Sequence, residues 1–279
     1  MYLTRHQTPK GPRWALDGHF LPLAFELGLL LQLQREAIAA FLQTVATKEP
    51  AHGILLPPLE PTHEVWACGV TYLRSREARE AESTVKDVYA RVYEAKRPEL
   101  FWKSVGWRVA GHQMPIRVRD DSGWNVPEPE LTLVVNSHGQ IVGYCVGNDV
   151  SSRDIEGENP LYLPQAKVYE GSCALGPGIA IGAVEGLKDI AIQISLIRDG
   201  NPVFEGATRT SQIKRPLEEL VEYLVMELDF PRGAFLMTGT GIVPPHDFSM
   251  LRGDTVRITI GELTLENHVA PHTGRAPRV

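Results

Sequence analysis

Glu128 and Glu130 stand two residues apart in "WNVPEPELTLVV", directly before an uncharged apolar run. Residues two apart on a β-strand project from the same face, so the two carboxylates point together. The next apolar stretch, "IVGYCVGND", is reached through "NSHGQ" and predicts an antiparallel hairpin with a loop of four or five residues. With four, Asn136 pairs with Ile141, and counting along the ladder sets Glu128 opposite Asp149. Directly opposed residues share a face at roughly 5 Å between Cβ atoms. A loop one residue longer turns Asp149 to the other face. Three converging carboxylates repel one another unless a positive charge sits among them. An all-oxygen set suits a hard divalent cation: Mg2+, Ca2+ or Mn2+. Spacing alone favours the plainer reading of Glu-x-Glu as a solvated strand edge.

Other candidates are scattered. The segment 150–179 is long, Pro- and Gly-rich, and carries Arg153, Asp154, Glu156, Glu158 and Lys167, which predicts a functional loop. Lys167 can pair with a carboxylate near the cation, or act as an acid or base if burial lowers its pKa. In "LMTGTGIVPP", Gly239 and Gly241 flank Thr240, and backbone amides in such a turn can bind a carboxylate. That turn lacks the Lys-Ser/Thr ending of a phosphate-binding loop, and neither a dinucleotide fingerprint nor a nucleophile elbow occurs.

These residues need rigid elements. The 279 residues, 43% hydrophobic, can bury a sizeable core. β-Branched runs separated by Gly and Asn turns predict a strand-rich α+β fold. Helices are expected in "LPLAFELGLLLQLQREAIAAFL", in the charged stretch 72–98 ending at Pro98, and in "RPLEELVEYLVMELD". The last carries a Leu217, Leu220, Leu224, Leu228 stripe. The Pro-rich "PPLEPTH" predicts a boundary between a small amino-terminal α/β domain, 1–62, and a catalytic domain, 63–279.

A net charge of −6 without a basic run argues against nucleic acid. No stretch of about 20 uncharged apolar residues predicts a membrane span, and no signal-peptide core opens the chain. Three widely spaced cysteines, Cys68, Cys145 and Cys173, read as buried thiols of a reducing compartment, so a cytoplasmic location is expected.

Taken in order, "ACGVTY", "LFWKSVG", "PEPELTLVV", "GYCVGNDVSSRD", "QAKVYEGSCALGPGI" and "LMTGTGIVPPHDFSMLRGDTVRITIGELTLENHV" resemble the fumarylacetoacetate hydrolase superfamily. The resemblance spans about Trp66 to Val269. It implies a mixed β-roll, Glu128, Glu130 and Asp149 as magnesium or calcium ligands, a 2-keto acid substrate and a homodimer or homotetramer. "RPELFWK", "ENPLYLPQAKVY" and "TGTGIVP" are most similar to its sugar-acid dehydratases. That branch implies Lys167 and Glu99 as the proton-transfer pair and dehydration of a 2-keto-3-deoxy sugar acid. Thr240, Gly239, Tyr72, Lys103 and Arg153 are the candidates for binding substrate. The C–C bond hydrolases and decarboxylases of the superfamily are the rival reading. Their Asn-Tyr-x-x-His segment is replaced here by Thr71-Tyr72 with no following His, and their usual "GTPxG" by "GTGIVPP".

Overall fold

The computed structural model describes residues 1–82, 86–182 and 184–271. The chain opens with β1 (Tyr2–Thr8), β2 (Gly11–Leu16) and β3 (His19–Phe20), an antiparallel meander. The short helices α1 (Leu27–Leu30) and α2 (Arg35–Val45) follow, then β4 (Ile54–Leu56), which returns to β1. β5 (Glu64–Gly69) leads through α3 (Leu73–Glu82) and α4 (Lys86–Glu94) to β6 (Glu99–Val105). Two short strands, β7 (Pro115–Ile116) and β8 (Asn125–Val126), precede the hairpin of β9 (Pro129–Val135) and β10 (Ile141–Asp149). β11 (Ser151–Ser152), α5 (Arg153–Glu158) and α6 (Leu163–Lys167) then lead to β12 (Cys173–Ile181). The rest is β13 (Ala191–Arg198), β14 (Asn201–Arg209), α7 (Leu217–Val225), β15 (Ala234–Met237), β16 (Thr255–Ile260) and β17 (Leu263–Val269).

Two large sheets carry the fold. A ten-stranded mixed sheet runs β3-β2-β1-β12-β10-β9-β15-β5-β6, with β4 beside β1. A five-stranded sheet runs β14-β13-β16-β17-β7. In the second, burial alternates along β13 and β16, so one face packs on the core and the other meets solvent. The first contains the uncharged runs. Every residue of β9 and β10 is buried, as expected for interior strands covered on both faces. The amino-terminal strands extend this sheet through the β1–β12 pairing, and Leu3, Trp14 and Leu16 share a core with Val65, Ala67, Val134 and Phe235.

Three expectations need correcting. β9 lies between β10 and β15, so Glu-x-Glu is not a solvated strand edge. Segment 150–179 is not one long loop. Pro160 and Pro164 sit in the first turns of a 3-10 turn and of α6, where a missing N–H costs nothing. The α7 stripe ends early. Leu217, Leu220 and Leu224 are buried, but the helix stops at Val225 and Leu228 is exposed. Phe230 re-enters the core in its place and packs edge-on against Trp66.

Candidate metal centre

The hairpin brings the acids together by an indirect route. Its loop holds five residues, because Ile141 faces Val135. That register alone would turn Asp149 away. A β-bulge at Val142 inserts one residue, so Gly143 faces Val134 and Asn148 faces Pro129. The four-residue count is thereby restored at the open end, where the Asp149 amide donates to the Glu128 carbonyl at 3.0 Å. Ligand oxygens of Glu128, Glu130 and Asp149 lie within 4.8 Å of one another, and all three residues are buried.

Buried carboxylates must be compensated. Glu128 Oε1 accepts from Arg153 Nη2 at 2.5 Å, and Arg153 Nη1 reaches Glu156 at 2.6 Å. Asp149 Oδ1 pairs with the Lys103 ammonium. Glu130 Oε2 accepts from the Gly239 amide at 2.6 Å. Lys167 Nζ lies among Glu128 Oε2 (2.6 Å), Asp149 Oδ2 (3.0 Å) and Ser151 Oγ (2.6 Å). Four carboxylates, with Glu156 included, thus face three cations, which leaves one negative charge. Glu130 bears the imbalance. Burial, then Asp149 and Glu128, push its pKa well above the usual carboxylate value. The lowering expected for Lys167 is reversed: burial opposes the charge, but Asp149, Glu128 and Glu156 outweigh it and hold the ammonium well above its usual pKa.

The cavity beside these residues is lined by Glu128, Glu130, Asp149, Glu156 and Lys167 on one side, and by Cys68, Val70, Ser75, Glu99, Phe101 and Thr240 on another. Glu99 folds over Gly69, where an added Cβ would lie 2.0 Å from Glu99 Oε2, so any side chain there would push that carboxylate aside. Gly239 has φ +87°, and a Cβ there would meet Thr71 Oγ1 at 2.1 Å. This glycine-only backbone aims its amide at Glu130.

The predicted residues therefore divide. Glu99, Lys167, Thr240 and Gly239 border the cavity with the three acids. Lys103 and Arg153 do not line it. Lys103 is fully buried and donates to the carbonyls of Val150 (3.1 Å) and Lys167 (2.5 Å) besides its pair with Asp149. Tyr72 is buried against Gly241, outside the lining, and its hydroxyl has no hydrogen-bond partner among the described residues. Sequence reasoning gave no role to Ser151, which holds Lys167. Its one signal was a hydroxyl two residues after Asp149.

An all-oxygen, buried, net-negative cluster fits a hard divalent cation, and Glu128, Glu130 and Asp149 would hold it. The profile of the fumarylacetoacetate (FAA) hydrolase C-terminal family matches residues 64–270. A probable 2-keto-3-deoxyxylonate dehydratase from Haloferax volcanii is 49% identical over 208 residues, covering 74% of this chain and 72% of that protein. A 2-dehydro-3-deoxy-D-arabinonate dehydratase from Saccharolobus solfataricus is 42% identical over 211 residues, covering 74% and 70%. Among solved structures, 2-keto-3-deoxy-D-arabinonate dehydratase complexed with magnesium and 2,5-dioxopentanoate superposes with a TM-score of 0.82 at 34% identity. It covers 98% of this chain and 99% of its own. The apo form gives 0.84 at the same identity and coverage.

Proposed function

This chain belongs to the fumarylacetoacetate hydrolase family, and from that premise we propose that it is a magnesium-dependent hydro-lyase converting 2-keto-3-deoxy-D-arabinonate to 2,5-dioxopentanoate. The observation that carries the reading is the buried Glu128, Glu130, Asp149 cluster, with Lys167 at its rim and Glu99 on the same cavity. The two dehydratase relatives support one substrate. D-Xylonate and D-arabinonate differ only at C2 and C3, and both centres vanish in the 2-keto-3-deoxy acid, so in the D series the names describe one molecule.

The reaction needs an acidified C3–H and a protonated leaving group at C4. A divalent cation supplies the Lewis acidity that makes the carbon beside a 2-keto group acidic. The chain's own residues do the rest. Lys167 and Glu99 are the proton-transfer pair: one takes the C3 proton, the other protonates the departing C4 hydroxyl, and water leaves. The resulting alkene moves to C4–C5 by proton transfer from C5 to C3. Its C5 enol then ketonises to the aldehyde. We assign both shifts to the same two groups, which line one cavity. Thr240 offers its hydroxyl to the substrate from the cavity wall. Lys103 and Arg153 act from outside the cavity, by fixing Asp149 and Glu128.

Incubation of purified protein with 2-keto-3-deoxy-D-arabinonate and Mg2+ should yield 2,5-dioxopentanoate, with acetylpyruvate and oxaloacetate inert in parallel. Full activity after exhaustive chelation, or no product, sinks the reading. Glu128→Gln is expected to abolish turnover. Among the described residues no helix is long and apolar enough to cross a membrane. We further propose a cytoplasmic homodimer or homotetramer, which light scattering coupled to size exclusion tests by mass.

A further inference from the structure

Each carboxylate of the cluster has one oxygen fixed by a donor that stays in place. Arg153 holds Glu128 Oε1, Lys103 holds Asp149 Oδ1, and the Gly239 amide holds Glu130 Oε2. The other oxygens of Glu128 and Asp149 both go to one group, the Lys167 ammonium. Lys103 and Arg153 lie outside the cavity, whereas Lys167 lines it. An ammonium has three N–H donors. Those of Lys167 are all engaged, on Glu128 Oε2, Asp149 Oδ2 and Ser151 Oγ. None is left for a substrate.

We propose that Lys167 is the protein's internal stand-in for the divalent cation. Its ammonium and the ion would compete for the Glu128 and Asp149 carboxylates, so loading the site would turn the Lys167 ammonium toward the substrate. Arg153, Lys103 and Gly239 keep the three carboxylates aimed while the occupant changes. Metal binding and arming of the proton-transfer group become one event. The inference rests on the cation site proposed above. Its readout is metal affinity, which does not depend on the substrate.

The experiment is calorimetric titration of Mg2+ into chelator-stripped wild type, Lys167→Met, Lys167→Arg and Ser151→Ala, with folding checked by circular dichroism. Removing the competing ammonium should tighten Mg2+ binding on the order of tenfold in Lys167→Met, the equivalent of one charge-assisted pair. Lys167→Arg, which keeps the charge, should show no gain. Ser151→Ala loosens the ammonium without touching a ligand side chain and should tighten binding by a smaller factor. A folded Lys167→Met that binds no tighter than wild type overturns the proposal, as does an equal gain in Lys167→Arg. A Lys167→Met protein that folds only when Mg2+ is added shows the same competition. If it folds under neither condition, Ser151→Ala decides, and an unchanged affinity there overturns it. Wild type that binds no Mg2+ rejects the cation site itself, a different outcome.

Discussion

Three acids within 4.8 Å could not all stay ionised in a protein interior without the cations around them. Lys103 is the most telling of these, because it is fully buried and cannot meet a ligand in the cavity. Breaking a buried ion pair by removing one partner leaves an uncompensated charge and costs about 3–5 kcal/mol. Lys103→Met is therefore expected to lose about that much stability in urea denaturation, and Lys103→Arg to recover part of it. A loss below about 1 kcal/mol would mean that Asp149 does not depend on Lys103. At this scale the sequence was half readable. The acids and Lys167 carry charges at spacings that invite a site. Lys103 lies in "ELFWKSV", where alternation offers no sign that a lysine points inward, and its role became visible only when β6 was placed against Val150 and α6.

Among the elements, the β9–β10 hairpin decides whether there is a site at all. Hydrophobic runs identified both strands, and the convergence of Glu128 with Asp149 followed from a four-residue loop. The loop has five, and the bulge at Val142 returns the lost residue. Gly143 in "IVGYCV" is the kind of residue that marks a bulge, but a glycine alone does not count the inserted residue, so the two departures, which cancel, could not be read from sequence. Helix α7 shows the complementary case. Its leucine periodicity was plain, yet the helix stops at Val225, and Phe230 rather than Leu228 supplies the next core contact, on Trp66. Leu220 is fully buried in the core cluster and lies outside the cavity lining. Leu220→Ala should cost about 2–5 kcal/mol through lost burial and the void left behind. Because the helix adds no group to the carboxylate cluster, the Mg2+ dissociation constant should stay within about twofold of wild type. A clear loss of Mg2+ affinity in a folded Leu220→Ala protein would show that the helix and the hairpin are coupled.

For the whole molecule, the site sets a pH dependence of folding. Glu130 has its folded-state pKa raised well above the usual 4.5, by burial first and by Asp149 and Glu128 next. The fold thus prefers the protonated form more than the unfolded chain does. Its contribution is fully present below pH 4.5 and is lost as pH rises through the raised value. In chelator, wild type should therefore lose stability with rising pH across that window. Ligation requires the carboxylate, so Mg2+ binding releases the proton and strengthens as pH rises. Saturating Mg2+ should reverse the slope and, at a hundredfold excess over its dissociation constant, add about 2.7 kcal/mol. Other groups titrate in the same range. His63 is one, its pKa lowered chiefly by burial, and it costs the fold stability as pH falls below 6.5. The informative quantity is then the difference between wild type and Glu130→Gln, in which groups common to both cancel. In chelator that difference should move in favour of Glu130→Gln as pH rises, and in Mg2+ it should move the other way. Denaturant midpoints taken at several pH values with and without Mg2+ measure both slopes, and parallel curves for the two proteins in chelator would refute the assignment of the buried proton to Glu130.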